Sequence, residues 1–252
     1  MPALFAPETL DVIYRDDHLI AVNKPSGLLV HRSMIDHHET RFALQIVRDQ
    51  IGQYVYPVHR LDKPTSGVLI LALSPDVARL MGEQFQSHDA IQKSYLALVR
   101  GIAPVNGIID HPLKEQLDKI SDKKARQNKA PQAAITEFRR LQSVEIPAQI
   151  DRYPTSRYSL IEAHPKTGRK HQIRRHMKHL AHPIIGDSKH GKGNHNRYFA
   201  EHLNADRLLL HCREMFFAHP VSGAQIVIQA PLDDIMTKLF QRFGWSKEMF
   251  LS

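Results

Sequence analysis

The chain has 252 residues, 42% hydrophobic and 24% charged, which is enough to bury a core without covalent staples and too apolar for wholesale disorder. Its one cysteine, Cys212, excludes an intramolecular disulfide framework and a cysteine zinc cluster, and no run approaches the roughly 20 apolar residues of a membrane span. Lys and Arg (34) exceed Asp and Glu (26), with 17 His besides, for a formal net charge of +8; such a balance points to an anionic partner, above all nucleic acid.

The N-terminal residues lack a basic segment followed by an apolar one, so no signal peptide is expected and the cytoplasm is the expected compartment. Residues 11–15 and 18–23 read as two short strands around the Asp16-Asp17 turn, and Lys24-Pro25-Ser26-Gly27 as a further turn. Residues 40–51 have helical spacing, with Phe42, Ile46 and Val47 on one face. The unbroken apolar run 68–73 reads as a buried strand. Ser74-Pro75-Asp76 reads as a helix start, with Ser as N-cap and Asp near the positive end, and Val77, Leu80, Met81 and Phe85 line one face. Residues 93–100, 108–113, 133–141 and 158–163 follow as strands. A basic helix spans 172–181, with Ile173, Met177, Leu180 and Ala181 as its apolar positions. Strands at 207–212, 215–218 and 225–229 and a helix at 232–243 close the chain. Strands dominate and mostly follow one another through turns. The expected fold is therefore α+β, a mixed and largely antiparallel sheet flanked by helices, in one domain over 1–252.

The positive charge is concentrated. Residues 152–197 hold eleven Lys or Arg against only Glu162 and Asp187, so the rest of the chain is nearly neutral. One sign dominates this stretch, as phosphate binding requires, and it reads as an RNA or DNA face. A second basic run at 119–129 reads equally as a solvated face.

The most informative segment is His59-Arg60-Leu61-Asp62-Lys63-Pro64-Thr65-Ser66-Gly67, directly before the buried strand. It places a carboxylate between two cations, in a loop stiffened by Pro64, on a strand end where reacting groups are often presented. Neighbouring cations favour an ionised carboxylate, which suits a nucleophile or a base. By these residues alone, Asp62 could equally cap its own turn through Ser66 or backbone amides.

Four ordered segments together resemble the RluA-type pseudouridine synthases over about residues 10–230. They are 59–72, the segment Val22-Asn23-Lys24-Pro25-Ser26-Gly27-Leu28, the strand 93–101 that opens Lys93-Ser94-Tyr95, and 167–177 followed by His182-Pro183-Ile184-Ile185-Gly186-Asp187. The resemblance implies isomerisation of uridine to pseudouridine in RNA without metal or organic cofactor. It makes Asp62 the essential carboxylate, acting on the sugar carbon, on the base or on a sugar proton. It implies that Arg174 pairs with Asp62 and that Tyr95 stacks on the uracil and takes the C5 proton. Ile173 would pack on the base, and Arg60 would take the place of the extruded nucleotide. His59, Arg169, Lys170, Gln172 and Arg175 are the further expected RNA contacts. Extrusion is needed because a paired uridine hides its glycosidic bond.

Many relatives carry an N-terminal S4 RNA-binding module; here the pattern starts near Asp11, so none is expected. Residues 186–197, with His190 where a tyrosine is usual, and the polar insertion 146–157 resemble a bacterial subgroup acting on uridine 65 in the T-stem region of tRNA. The same chemistry on ribosomal RNA or another tRNA position, and a non-catalytic RNA-binding protein, are the other readings. A histidine-bound metal at His176, His179 and His182 is disfavoured, because no H-E-x-x-H glutamate accompanies them and Pro183 ends the helix. A monomer is expected.

Overall fold

The computed structural model describes residues 8–32, 38–87, 90–115 and 130–246; the basic run at 119–129 lies outside them. Two strands, β1 (Asp11–Arg15) and β2 (Leu19–Lys24), precede helix α1 (Ala43–Ile51), the two-residue strand β3 (Tyr56–Pro57) and β4 (Ser66–Ala72). Then come α2 (Pro75–Gln86), β5 (Ile91–Arg100), β6 (Asn106–Asp110), β7 (Ile135–Ile146), β8 (Ser156–Pro165) and α3 (Gln172–His179). The chain continues with α4 (Gly193–Leu203), β9 (Leu210–Ala218), β10 (Gln225–Gln229) and α5 (Asp234–Arg242). Among the described residues, no helix is long and apolar enough to cross a membrane.

Among the described residues, ten strands join one sheet, in the order β1-β2-β4-β9-β5-β8-β7-β6, with β3 on β4 and β10 on β9. Every pairing is antiparallel except β4 with β9, which run parallel for only two residue pairs. Both faces of the sheet are covered, so its central strands are apolar on both sides. On β2 and β4, Ala21, Val68 and Ile70 pack toward Val77 and Met81 of α2. The alternate residues Val22, Leu69 and Leu71 pack toward Ala43, Ile46 and Val47 of α1. On β5 and β8, Leu96, Leu98 and Leu160 meet Phe199 of α4 and Phe240 of α5, while Ala97, Val99 and Ile161 meet Ile173 and Met177 of α3. This period-two division is why residues 68–73 read as an unbroken apolar run.

The short parallel pairing has a steric requirement. Gly67 has φ +111, and a Cβ there would lie 2.1 Å from the Cys212 carbonyl oxygen. Beside it, Arg207 Nη2 donates to Ser66 Oγ at 2.8 Å, Ser66 Oγ lies 2.8 Å from His211 Nδ1, and His211 Nε2 donates to the Ala230 carbonyl at 3.1 Å. This buried chain locks the start of β4 against β9.

The structure departs from the sequence reading in three places, one of them the short strand β3, which was not expected. Residues 207–212 and 215–218 do not form two strands; one strand, β9, runs from Leu210 to Ala218. Arg213 and Glu214, which lie between the two expected strands, are accommodated in mid-strand, with Arg213 3.6 Å from Glu162 on β8 and Glu214 accepting from Gln229 at 2.7 Å. Helix α4 was not expected. Gly191 and Gly193 look like breakers, and its buried positions His195, Phe199 and Leu203, four apart, include a histidine that reads as polar. Elsewhere the bounds differ by a few residues; Ser74 caps α2 by accepting from the Val77 amide at 3.3 Å.

Two outcomes are expected. Gly67→Ala should cost more than the roughly 1–3 kcal/mol of an unfavourable backbone conformation alone, because it also collides with β9; a wild-type thermal melt would refute the tight joint. Burial lowers the pKa of His59 from 6.5 to about 3 and that of His211 to about 4. Below pH ~6.5 the unfolded chain therefore binds protons that the folded chain refuses, so stability should fall as pH drops from ~6.5 toward ~4. Urea midpoints measured across that window test the sign.

Candidate active site

The loop between β3 and β4 presents Asp62. Its main-chain oxygen accepts the Thr65 amide at 3.0 Å, closing a turn around Lys63-Pro64. The carboxylate does not cap that turn through Ser66, whose hydroxyl is engaged with His211. The turn after β2 grips the loop from behind. Lys24, completely buried, donates its ammonium to the carbonyls of Leu28 at 2.7 Å, Pro25 at 2.9 Å and Lys63 at 3.2 Å. The Gly27 amide reaches the Lys63 carbonyl at 2.9 Å, and Ser26 Oγ the Pro64 carbonyl at 2.7 Å. Burial, then the Arg207 charge, lower the Lys24 pKa to about 7, against an opposing effect of Asp62.

Arg174, on the first turn of α3, aims the carboxylate. Its Nη1 donates to Asp62 Oδ2 at 3.0 Å. Its Nε and Nη2 fork onto Asp187 Oδ2 and Oδ1 at 2.7 and 2.8 Å, the bidentate geometry that gives an arginine–carboxylate pair both strength and direction. Asp187, with no side-chain exposure, also accepts the amides of Lys189 and His190 at 2.9 Å each. Burial alone would lower the Arg174 pKa, but the Asp187 hydrogen bonds and charge outweigh it and hold the guanidinium charged. The same pairing overcomes the burial penalty on Asp187 and keeps its pKa below 3.8. Asp187 is placed by Gly186, whose φ is +79 and where a Cβ would lie 1.8 Å from the Arg207 carbonyl oxygen.

Asp62 and Arg174 border a cavity of about 490 Å³ that Tyr95, Lys93, Phe85 and Ile173 also line. Tyr95 sits on β5 opposite Cys212 on β9. Burial, then Cys212 and Asp62, push its phenol well above 10, so at neutral pH it is an uncharged ring with an intact hydroxyl. His171, in left-handed conformation at the start of α3 (φ 57), places Nε2 3.8 Å from Asp62 Oδ2 and Nδ1 3.0 Å from His190 Nε2. Burial lowers its pKa to about 4 despite Asp62, so it too is neutral.

The expected RNA contacts divide. Arg60 and Lys170 are exposed at the rim, and Arg169 lines the cavity while its Nε donates to the Ala133 carbonyl at 3.1 Å. His59 lines it as a strut, its Nε2 accepting the Ile70 amide at 2.9 Å and its ring stacked on Phe85 at 4.8 Å. Arg175 is half-buried along α3, away from the cavity lining. Gln172 also lines the cavity, but its amide is engaged within the protein. Its Nε2 donates to the Ile135 carbonyl and Thr136 Oγ1 at 2.9 and 3.0 Å, and its Oε1 accepts from Thr167 Oγ1 and the Arg169 amide at 2.7 and 3.0 Å. With all four bonds made inside the protein, it braces the turn 167–169.

Sequence reasoning assigned no role to Asp187, His171 or Lys24, though each stands within a quoted motif. The available signal for Asp187 was that it is one of two acids in a strongly basic stretch. His176 is spent on Thr136 Oγ1 at 2.9 Å and the His111 carbonyl at 3.1 Å. Among the described residues, no three His, Cys, Asp or Glu groups assemble as a metal would require.

The family model for RNA pseudouridylate synthase matches residues 18–179. A tRNA pseudouridine synthase C of Vibrio cholerae is 51% identical over 96% of this chain and 99% of its own. That of Haemophilus ducreyi is 55% identical over 94% and 96%. Among solved structures, human RNA pseudouridylate synthase domain containing 4 superposes with a TM-score of 0.69 at 25% identity, covering 93% of each chain.

Removing one partner of a buried pair leaves the other charge uncompensated, at a cost of about 3–5 kcal/mol. Asp187→Ala should therefore lose stability on that scale in urea unfolding. An unchanged unfolding midpoint would mean that Asp187 does not hold Arg174.

Proposed function

The chain belongs to the RNA pseudouridylate synthase family, and we propose that it isomerises uridine to pseudouridine in tRNA, at uridine 65 of the T-stem region. The observation that carries the reading is Asp62, held by Arg174 at 3.0 Å beside Tyr95 in a cavity with a cationic rim. The names of the full-length relatives support tRNA as the substrate. The features of residues 186–197 and 146–157 that resemble the uridine-65 subgroup support the position.

The target uridine leaves its stack and enters the cavity, at an unstacking cost of a few kcal/mol. Cations at the rim, among them Arg60, Arg169 and Lys170, offset that cost through phosphate contacts, and Arg60 takes the vacated place. Tyr95 and Ile173 hold the uracil between them. Asp62 reacts as a carboxylate, with Arg174 fixing Oδ2 and Oδ1 directed to the nucleotide. The glycosidic C1′–N1 bond breaks with its electron pair left on N1, the uracil turns against Tyr95, and C5 bonds to C1′; C5 then loses its proton and N1 gains one, so the product is an isomer of the substrate. Tyr95, neutral from the start, hands the C5 proton on to water through its hydroxyl, and N1 takes its proton from water. The overall change is redox-neutral and adds no group, so the reading includes no cofactor. It takes the protein as a cytoplasmic monomer.

Asp62→Ala should abolish pseudouridine formation while leaving tRNA affinity within a few-fold of wild type; residual turnover would remove Asp62 from the mechanism. Mapping pseudouridine across cellular RNA with and without the gene should show loss at tRNA position 65. Loss at a ribosomal site instead would overturn the tRNA reading.

A further inference from the structure

We propose that a second cavity, beyond the C-terminal end of α3, is a subsite for an unpaired base of the RNA substrate, with Tyr153 as its stacking platform. The inference rests on RNA being the substrate, and it gives the polar insertion a role that the reaction itself does not.

The cavity measures about 530 Å³ and lies between the loop 147–155, which joins β7 to β8, and the residues that follow α3, Ala181 and His182. α3 has eight residues, so roughly 12 Å of helix separates the two cavities. Lys178 and His179 are exposed along that helix, giving a basic ridge between them for a phosphate backbone to follow.

The loop is pinned in place rather than tethered at its ends alone. Asp151 accepts from Arg100 Nη2 of β5 at 2.8 Å and lies 3.0 Å from His195 Nε2 of α4. His195 Nδ1 meets the buried Tyr158 hydroxyl at 2.8 Å, and Ser156 Oγ donates to the Ala148 carbonyl at 2.8 Å. Helix α4 thus serves in part to brace this loop. The bracing leaves Tyr153 54% exposed, although it is one of the residues lining the cavity. The Arg152 guanidinium stands 4.7 Å from the ring centre, so a base entering the cavity would extend an arginine–tyrosine stack.

The lining favours a base over a phosphate. Arg100 and Arg157 are matched there by Asp151 and Glu145, so the cavity itself is close to neutral. A neutral polar slot with an aromatic platform is the chemistry by which proteins hold unpaired bases, through stacking and base-edge hydrogen bonds. Arg157, exposed at the lining, and Arg152 at the lip are placed for the flanking phosphates.

The test is steady-state pseudouridylation of an unmodified tRNA transcript by wild type, Tyr153→Ala and Tyr153→Phe. Tyr153→Ala should raise KM on the order of ten- to a hundredfold, with kcat at saturating RNA within about twofold of wild type; Tyr153→Phe, which keeps the ring, should restore KM. A wild-type KM for Tyr153→Ala, or equal losses for Ala and Phe, would overturn the stacking site. A transcript that wild type leaves unmodified would instead sink the tRNA reading, and the same KM comparison on the RNA found modified in cells would then decide the subsite.

Discussion

Arg174 carries a buried positive charge to Asp62, and the surroundings of the cavity are arranged to keep it there. An isolated guanidinium could not be held in so dry a place, because desolvation of a charge costs several kcal/mol even after relaxation. Asp187 supplies the compensation, with both its oxygens on the same guanidinium and two backbone amides behind it. Only one guanidinium nitrogen is then left to project toward Asp62. The result is a carboxylate–arginine–carboxylate row in which the inner acid is structural and the outer acid is half-open to the cavity. Three unconnected segments meet in it, the loop before β4, the first turn of α3 and the turn after Gly186.

The same economy of charge extends through the cavity. His59 and His171 are kept neutral by burial, and Tyr95 keeps its proton. The groups that face the substrate are thus mostly uncharged rings around one ion pair, with Lys93, whose pKa burial lowers, beside them. The other cations of the lining, Arg60, Arg169 and Lys170, lie toward the rim. This refines the meaning of the basic stretch 152–197. It is not a uniform RNA-facing surface, since Arg174 is spent inside on two carboxylates and Arg169 is partly engaged by a main-chain carbonyl. Lys170, Lys178, Lys189 and Lys192 remain exposed.

The backbone of the site depends on close approach. The parallel contact of β4 with β9 lasts two residue pairs and is possible only because Gly67 has no side chain. It ties the part of the sheet carrying Asp62 to the part carrying Tyr95. The Lys24 ammonium, shared among three carbonyls, fixes the Asp62 loop from the opposite side. A polar side chain buried in this way serves as a tie between segments that backbone pairing cannot reach.

Sequence by itself determined the α+β class, most strands, the cap of α2, the apolar faces of α1, α2 and α3, the place of α5, and the motif residues Asp62, Tyr95 and Arg174. These are local properties: period-two and helical spacing, turn chemistry at Gly and Pro, and short ordered motifs. It did not determine helix α4, whose buried face includes His195, or the continuity of β9 through Arg213-Glu214, because in both places polar residues find partners only across the fold. Nor did it distinguish Gln172, which braces a turn, from the arginines beside it, or disclose that Asp187 rather than Asp62 is the main partner of Arg174. Such roles depend on which distant donors and acceptors converge once the chain is packed. Burial then decides which of the convergent groups stay charged, and only the tertiary structure sets burial.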